Sequence, residues 1–575
     1  MSHSSVADAL VQTLIDAGAE RIYGVVGDSL NPITDAVRRS QGKLRWVHVR
    51  HEESGAFAAS AEAQLSGKLA VCAGSCGPGH LHLINGLYDA HRSYAPVLAL
   101  VSHIPSDQIG TSYFQETHPE LLFRECSHFC ELVSNPKQTP RLFRLAAQTA
   151  LAKGGVSAVV LPGDIAALDA GDDVPSTFST VPPLVRPVDA ELDKLAGLLN
   201  SASRVTVFCG SGCKGAHAEV LALAKALQAP VGHAYRGKEW VAYDNPYDVG
   251  MTGLLGYGAA YEAMHACDVL LLLGTDFPYD AFMPVKPQIA QVDVRPEHLG
   301  RRSRLDLGVC GDVRETLRAL LPRLEQKEDR RHLENALEEL AKARHKLDAH
   351  VRNVGSHRPL HPEFVAAMLD EVAADNAVFT VDTGMCNVWS ARYLRATAER
   401  RIIGSFTHGS MANALPQAIG AQLLYPGRQV ISMSGDGGFA MLMGDFLTLA
   451  QYDLPVKVVI FNNSSLGMVK LEMQVSGYPD TETDLVNPNF AKLAEAMGVM
   501  GQRVEAPEDV RGAFERALSH PGPALVDVVT DPHALSMPPR ITAKQVAGFA
   551  LAMTKLVFSG EGGEVLDTVD AQLHH

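Results

Sequence analysis

The most constraining feature of this sequence is a series of short apolar runs, each followed by a stretch with helical periodicity. Residues 69–73, 97–101, 156–161, 205–209, 269–273, 430–433 and 456–461 are apolar almost throughout, where a half-exposed strand would alternate. Strands of that kind are buried on both faces, as in parallel sheets covered by helices. Each gap between runs has room for a crossover helix. The chain is therefore predicted to be α/β, built from doubly wound parallel sheets.

Two stretches break this rhythm. Residues 167–187 are rich in Asp, Ser, Thr and Pro and carry no apolar period, so they read as a linker. Residues 325–361 form a charged helical stretch ending in Gly355, Pro359 and Pro362, which reads as a second connector. The expected domains are 1–180, 185–340 and 360–530, with a tail at 531–575. Three such units suit a chain of 575 residues.

Composition narrows the function classes. Hydrophobic residues make up 46% and charged residues 20%, which excludes a wholly disordered chain. The net charge of −15 argues against a nucleic-acid partner, which needs a basic footprint. An anionic cofactor is still accessible, because backbone N–H groups and a metal supply local positive potential. No apolar run reaches the 18 or so residues of a membrane-spanning helix, and the first residues lack the basic and apolar regions of a signal peptide. Nine cysteines, an odd number thinly spread, favour a reducing cytoplasm and free thiols. Cys72/Cys76, Cys126/Cys130 and Cys209/Cys213 share C-x-x-x-C spacing, which reads as core thiols, with a structural metal as the alternative.

One motif points to chemistry. The strand at 430–433 runs into Gly435-Asp436-Gly437-Gly438, and the strand at 456–461 runs into Asn462-Asn463. Asp436 thus lies at a strand end that opens a helix, where glycines let backbone approach a diphosphate and the helix N-terminus favours the anion. One crossover later Asn463 lies across the same crevice. A carboxylate, an amide oxygen and a backbone carbonyl form a hard-oxygen set suited to Mg²⁺. The plainer alternative is two ordinary turns, since Asp-Gly and Asn-Asn both favour loops.

With these residues the chain resembles the thiamine-diphosphate-dependent enzymes of the pyruvate oxidase and acetolactate synthase superfamily, most nearly the quinone-dependent pyruvate dehydrogenases. Further stretches that carry the resemblance are Gly27-Asp28-Ser29-Leu30-Asn31, Arg50-His51-Glu52-Glu53, Gly74-Ser75-Cys76-Gly77-Pro78-Gly79, Tyr113-Phe114-Gln115-Glu116-Thr117-His118-Pro119, Arg236-Gly237-Lys238-Glu239 and Gly409-Ser410-Met411-Ala412-Asn413. The resemblance implies that Asp436, Asn463 and the carbonyl of Ser465 hold Mg²⁺. Gly437, Gly438 and Ser464, Ser465, Leu466, Gly467, Met468 and Val469 would line the diphosphate side. Gly409, Ser410 and Met411 would meet the aminopyrimidine, with Met411 propping the cofactor into a bent shape. Glu52 would hydrogen-bond the aminopyrimidine N1′ of a cofactor held by another subunit, which implies at least a dimer and points to a homotetramer.

In the middle block, Gly210-Ser211-Gly212-Cys213-Lys214-Gly215 follows a strand and precedes a helix, matching G-x-G-x-x-G. The acid expected about 20 residues further on is missing, which speaks against a nicotinamide dinucleotide there. The resemblance places FAD against Thr252, Gly253, Leu254, Leu255, Thr275, Asp276, Phe277, Pro278, Tyr279 and Asp293. It implies oxidative decarboxylation of pyruvate to acetate and CO₂, with electrons passed through FAD to a membrane quinone. Phe114 and Gln115 would contact the substrate. Met468 departs from the pattern, since the quinone-dependent relatives carry an aromatic residue after the glycine of Asn-Ser-x-Leu-Gly. The tail, with Val546, Phe549, Met553, Leu556 and Val557 at helical spacing, would bind lipid, giving a cytoplasmic protein peripheral on the inner face of the cell membrane. Three other activities stay open: a phosphate-dependent pyruvate oxidase, an acetolactate synthase, and a serine hydrolase, since Ala73-Gly74-Ser75-Cys76-Gly77 is close to G-x-S-x-G.

Overall fold

The computed structural model describes residues 4–171, 178, 181, 183–352, 358–534, 551 and 555. The tail residues Val546, Phe549, Met553, Leu556 and Val557 lie outside the described residues. Among the described residues no helix is long and apolar enough to cross a membrane.

Three sheets form, one per predicted block. In the N-terminal sheet the strand order is Arg45–His48, Arg21–Gly24, Ala70–Gly74, Val97–His103, Val156–Pro162 and Phe129–Leu132, all parallel. In the C-terminal sheet it is Arg401–Gly404, Val378–Val381, Val430–Gly435, Lys457–Asn462, Ala524–Val529 and Met500–Val504, also all parallel. By rank in the chain the two orders are the same, so the domains repeat one topology with no short sequence repeat to announce it. The middle sheet runs Tyr257–Gly258, Asp248–Met251, Val231–His233, Val205–Cys209, Val269–Leu273, Gln288–Asp293 and Leu307–Cys310. It departs from a purely parallel sheet at one edge, where Tyr257–Gly258 pairs antiparallel with Asp248–Met251.

The strands are apolar throughout because helices cover both faces. Every residue of Val97–His103, Val156–Pro162 and Val269–Leu273 is buried. The helix Glu52–Ser66 is buried almost all round, and Ala56, Phe57, Ala58, Ala59 and Ala61 are fully inaccessible. It packs against Ala414–Leu424 of the C-terminal domain so closely that a Cβ on Gly420 would lie 2.1 Å from the carbonyl oxygen of Ala58. Small residues along both helices permit that approach, which joins the two outer domains through topologically equivalent helices.

The stretch Arg236-Gly237-Lys238-Glu239 turns out to staple the middle domain to the C-terminal one. Buried Lys238 donates to the carbonyls of Ala391 (2.6 Å) and Leu394 (2.5 Å) at the end of helix Met385–Tyr393, and burial lowers its ammonium to about 8. Glu239 accepts from Arg401 at 2.7 Å. All nine cysteines are free, and eight are buried. Among the described residues no cysteine belongs to a cluster with metal-ligating geometry.

Candidate active site

In doubly wound sheets ligands bind where the strand order reverses, outside the carboxyl ends of the strands. In the C-terminal sheet that point lies between Val378–Val381 and Val430–Gly435. A cleft of about 620 Å³ opens there, lined among others by Thr383, Gly384, Met411, Gly435, Asp436, Gly437, Gly438, Asn463, Ser465, Leu466, Gly467, Met468 and Val469. Most of the sequence-predicted residues of this domain line this cleft, whereas Gly409, Ser410 and Ser464 do not.

Asp436 opens the helix Asp436–Leu442 and is buried. Its carboxylate accepts from the backbone N–H of Gly437 (2.9 Å) and Ser464 (2.6 Å) and from the Asn487 amide (2.8 Å). Burial raises its carboxyl to about 6 even though those donors act to lower it. It has no cationic partner among the described residues. Asn463 Oδ1 accepts from the N–H of Ser465 at 3.1 Å. The neighbouring Asn462 points elsewhere, donating to buried Asp527 at 2.9 Å, so the two asparagines divide into one cleft residue and one core residue. Ser464 adopts a left-handed backbone, and the loop is pinned by Leu466 N–H to Thr483 O and Leu485 N–H to Ser464 O, both 2.8 Å.

This donor set fits a hard cation with a diphosphate. An unpaired buried carboxylate, an amide oxygen and nearby carbonyls match Mg²⁺ chemistry. The hydroxyls of Ser465 and Thr383 are buried without a partner among the described residues. A Cβ on Gly435, Gly384 or Gly409 would meet open space, so backbone is bare where an anion would approach. Across the cleft, the Met411 methyl lies about 3.3 Å from where a Gly437 side chain would begin. Ser410 Oγ donates to its neighbour's carbonyl, that of Met411, and accepts from Asn85 of the N-terminal domain, both at 2.9 Å.

A second cluster sits on the N-terminal domain. The His51 side chain accepts from the N–H of Glu53 and so caps the helix that Glu52 opens. Glu52 is buried, with His82 Nδ1 at 2.9 Å and the His82 ring stacked on His51 at 4.4 Å. A Cβ on Gly79 would meet Ser75 Oγ at 2.5 Å and Glu52 Oε1 at 3.2 Å, and one on Gly77 would strike Gln115 at 2.7 Å. The glycines of Gly74–Gly79 therefore let the Gln115 loop and Glu52 close on one spot. Gln115 has a positive φ of 64° and accepts from the Cys76 thiol at 3.1 Å, while Phe114 is 78% exposed. Neither Glu52, Phe114 nor Gln115 lines the C-terminal cleft of the same chain. Ser75 has no histidine partner among the described residues, and only the four-residue helix Pro78–Leu81 follows it, so no nucleophile elbow forms.

In the middle domain the named residues gather at the carboxyl ends of Val205–Cys209, Asp248–Met251, Val269–Leu273 and Gln288–Asp293. Gly210 and Gly212 are required by packing, since a Cβ on either would come within 2.4–2.6 Å of Gly274. Thr252 Oγ1 is buried with no partner among the described residues, and Gly253 has a φ of 104°. Leu254, Pro278 and Tyr279 are exposed, Thr275 is buried, and Phe277 meets Tyr279 edge-on at 5.4 Å. Asp276 pairs with Arg301 (2.8 Å) and Arg302 (3.2 Å), and the carbonyl of Leu255 faces Arg392 of the C-terminal domain. Buried Asp293 accepts from the N–H of Arg295 at 2.9 Å, with His298 at 3.5 Å. An orphaned hydroxyl and a strand-end carboxylate suit a dinucleotide's polar groups.

Fold and cleft together define an α/β enzyme that grips a diphosphate cofactor at a sheet switch point. The comparisons name the class. Residues 4–121, 192–320 and 382–528 match, in order, the thiamine pyrophosphate enzyme N-terminal TPP binding domain, central domain and C-terminal TPP binding domain. A putative thiamine pyrophosphate-containing protein of Bacillus subtilis is 36% identical over 566 residues, 98% of each chain. Pyruvate oxidase of Lactiplantibacillus plantarum is 32% identical over 533 residues, 91% of this chain and 88% of that one. A probable acetolactate synthase large subunit of Methanocaldococcus jannaschii is 31% identical over 557 residues, 93% of each. The chain belongs to the thiamine-diphosphate-dependent pyruvate oxidase and acetolactate synthase superfamily.

Sequence reasoning missed three residues of these sites. Asn487 holds Asp436, His82 contacts Glu52, and Asp382 lies beside Gly438. Asp382 does carry a signal, as an acid ending an apolar strand at a switch point, but finding it requires the sheet order.

Proposed function

We propose that the protein decarboxylates pyruvate oxidatively to acetate and CO₂, passing two electrons through FAD to a membrane quinone. The observation that carries the oxidative reading is the middle domain. Its strand ends bring together an unpartnered Thr252 hydroxyl and the carboxylate of Asp293, where FAD would lie. When bound, thiamine diphosphate would supply a nucleophilic carbon and an electron sink for decarboxylation, FAD would take up the one electron pair, and water would release the acetyl group as acetate.

The chain's own residues divide the work. Asp436, Asn463 and the Ser465 carbonyl would hold Mg²⁺, with Gly437, Gly438 and residues 464–469 around the diphosphate. Met411 supports the bent cofactor, and Gly409 and Ser410 face its aminopyrimidine. Glu52, buried beside His82, would share a proton with the pyrimidine nitrogen of a cofactor on a second subunit. That arrangement makes the active unit at least a dimer, with a homotetramer as the proposed assembly. Phe114 and Gln115 then meet pyruvate, and Met468 fills the place of the relatives' aromatic residue with a more flexible side chain. The tail would contact membrane lipid, which places the enzyme on the inner face of the cell membrane.

The test is an absorbance titration with pyruvate under nitrogen. A yellow protein that bleaches only with thiamine diphosphate and Mg²⁺ present, and recolours with a quinone, supports the scheme. Oxygen and phosphate dependence would instead mark the phosphate-dependent oxidase, whose relative is 32% identical. Carbon–carbon ligation without bleaching would mark an acetolactate synthase, whose relative is 31% identical.

A further inference from the structure

We propose that Asp382 is a positioning residue that fixes the spacing between the two loops of the C-terminal cleft, one carrying Met411 and the other Gly435–Gly438. It would thereby set the distance at which the cofactor's aminopyrimidine and diphosphate ends are held. The inference rests on the reading that this cleft takes thiamine diphosphate.

Asp382 follows the strand Val378–Val381, directly across the switch point from Gly435 and Asp436, and is 1% exposed. Its own N–H continues the ladder to Met433 O at 2.9 Å, so its backbone is as fixed as the sheet. Its carboxylate serves both loops. At its own strand end the Thr383 N–H donates to Oδ1 at 3.1 Å, and from the Met411 side the Asn413 amide reaches Oδ1 at 3.3 Å. The same amide donates to Ser410 O at 2.8 Å, so one side chain ties Asp382 to the residue before Met411. On the diphosphate side, Oδ2 occupies the space a side chain at 438 would need, since a Cβ there would lie 1.8 Å away. Gly438 is therefore glycine because of Asp382, whatever the cofactor requires of it.

A carboxylate that only ended its own strand would need donors from one loop. This one also bonds the Met411 loop and packs against Gly438, and it acts where the backbone is strained. Ala412, next to Met411, has a φ of 67°, a left-handed conformation that disfavours a residue with a Cβ. The bond to Asn413 and the contact with Gly438 would hold that turn and keep the Met411 methyl over Gly437. Met411 and the diphosphate loop are then one piece, with a spacing preset before any ligand enters.

Calorimetry on the full chain separates the two ends of the cofactor. Mg²⁺ with inorganic pyrophosphate reads the diphosphate loop alone, and Mg²⁺ with thiamine diphosphate reads both loops. For Asp382→Asn we expect pyrophosphate affinity within about threefold of wild type and thiamine diphosphate affinity weaker by about tenfold or more. The carboxamide keeps the shape but presents N–H to N–H on one loop. Asn413→Ala removes the amide that ties Asp382 to Ser410 and leaves Asp382 in place, so it should give the same split at lower amplitude even if Asp382→Asn folds poorly. Equal losses for both ligands would reduce Asp382 to general support, and no loss for either would make it a bystander; each overturns the inference. Asp436→Ala distinguishes the underlying reading. If wild type binds thiamine diphosphate and Asp436→Ala binds it equally well, the cofactor lies elsewhere and both readings fall.

Discussion

The N-terminal and C-terminal domains share a strand order and a switch point, yet they finish their sites differently. The C-terminal cleft is self-contained. Asp382, Asp436 and Asn463 are anchored by backbone N–H groups, and the loop at 464–466 is pinned by residues 483–485. The N-terminal cluster is half built. Glu52 is buried, but His82 and Phe114 stand 46% and 78% exposed, and none of the three lines the C-terminal cleft of its own chain. On the proposed reading, one topology would thus supply a preorganised anion grip in one copy and an open acid–base group in the other. A diphosphate can be held by the backbone of a single domain, because strand ends and helix starts present N–H groups together. A carboxylate that must face a ring in a dry setting needs a second surface to cover it.

The sharpest way to break this contrast is to remove one group from each domain. Asp436→Ala should weaken Mg²⁺–thiamine diphosphate binding by about 100-fold or more, on the order of 3 kcal/mol, measured by calorimetry. Retained affinity would mean the C-terminal cleft is not the grip. Glu52→Gln should bind the cofactor nearly as well as wild type but lose about 100-fold or more in turnover, as for loss of an acid–base group. Normal turnover in that variant would leave the N-terminal cluster without a role in the chemistry.

A smaller effect concerns the middle domain. Asp293→Asn with Thr252→Val should cost about tenfold in FAD retention, read as flavin released on gel filtration, and leave thiamine diphosphate binding unchanged. Loss of both cofactors would show that the domains are not independent in binding.

A last effect, on stability and not on binding, tests how the N-terminal domain holds the loop that carries Thr117. His80 is fully buried, with Nδ1 at 2.9 Å from Ser102 O and Nε2 at 2.7 Å from the Thr117 hydroxyl, and burial lowers it to about 4. The unfolded chain therefore takes up a proton there that the native state refuses. Stability from this group is intact above pH 6.5 and is lost as pH falls from about 6.5 to about 4, by roughly 2–3 kcal/mol. The pH dependence of urea unfolding should flatten across that window in His80→Asn. An unchanged slope would mean another group sets it.

Much of this architecture was legible in the sequence, and particular elements show why. The strands Val205–Cys209 and Val269–Leu273 form where apolar runs predict them, because a strand buried on both faces has no polar position to blur its ends. Asp436 and Asn463 were legible because both sit at ends of adjacent parallel strands joined by one crossover, a spacing the chain itself carries. Asn487 and His82 were not. Asn487 reaches Asp436 across 51 residues and His82 reaches Glu52 across 30, and neither has a local pattern to mark it. The glycines at 210 and 212 were legible as a motif, but their cause, contact with Gly274, was not.

By itself the sequence determined the α/β class, the strand positions and the residue types at the strand ends, because burial and turn chemistry act over short stretches of chain. Only the tertiary structure decided which strand ends face one another, that Asp382 must share space with Gly438, and that Lys238 belongs to a domain junction. Those outcomes depend on sheet order and close packing between segments far apart in the chain, and no local rule of spacing or polarity encodes them.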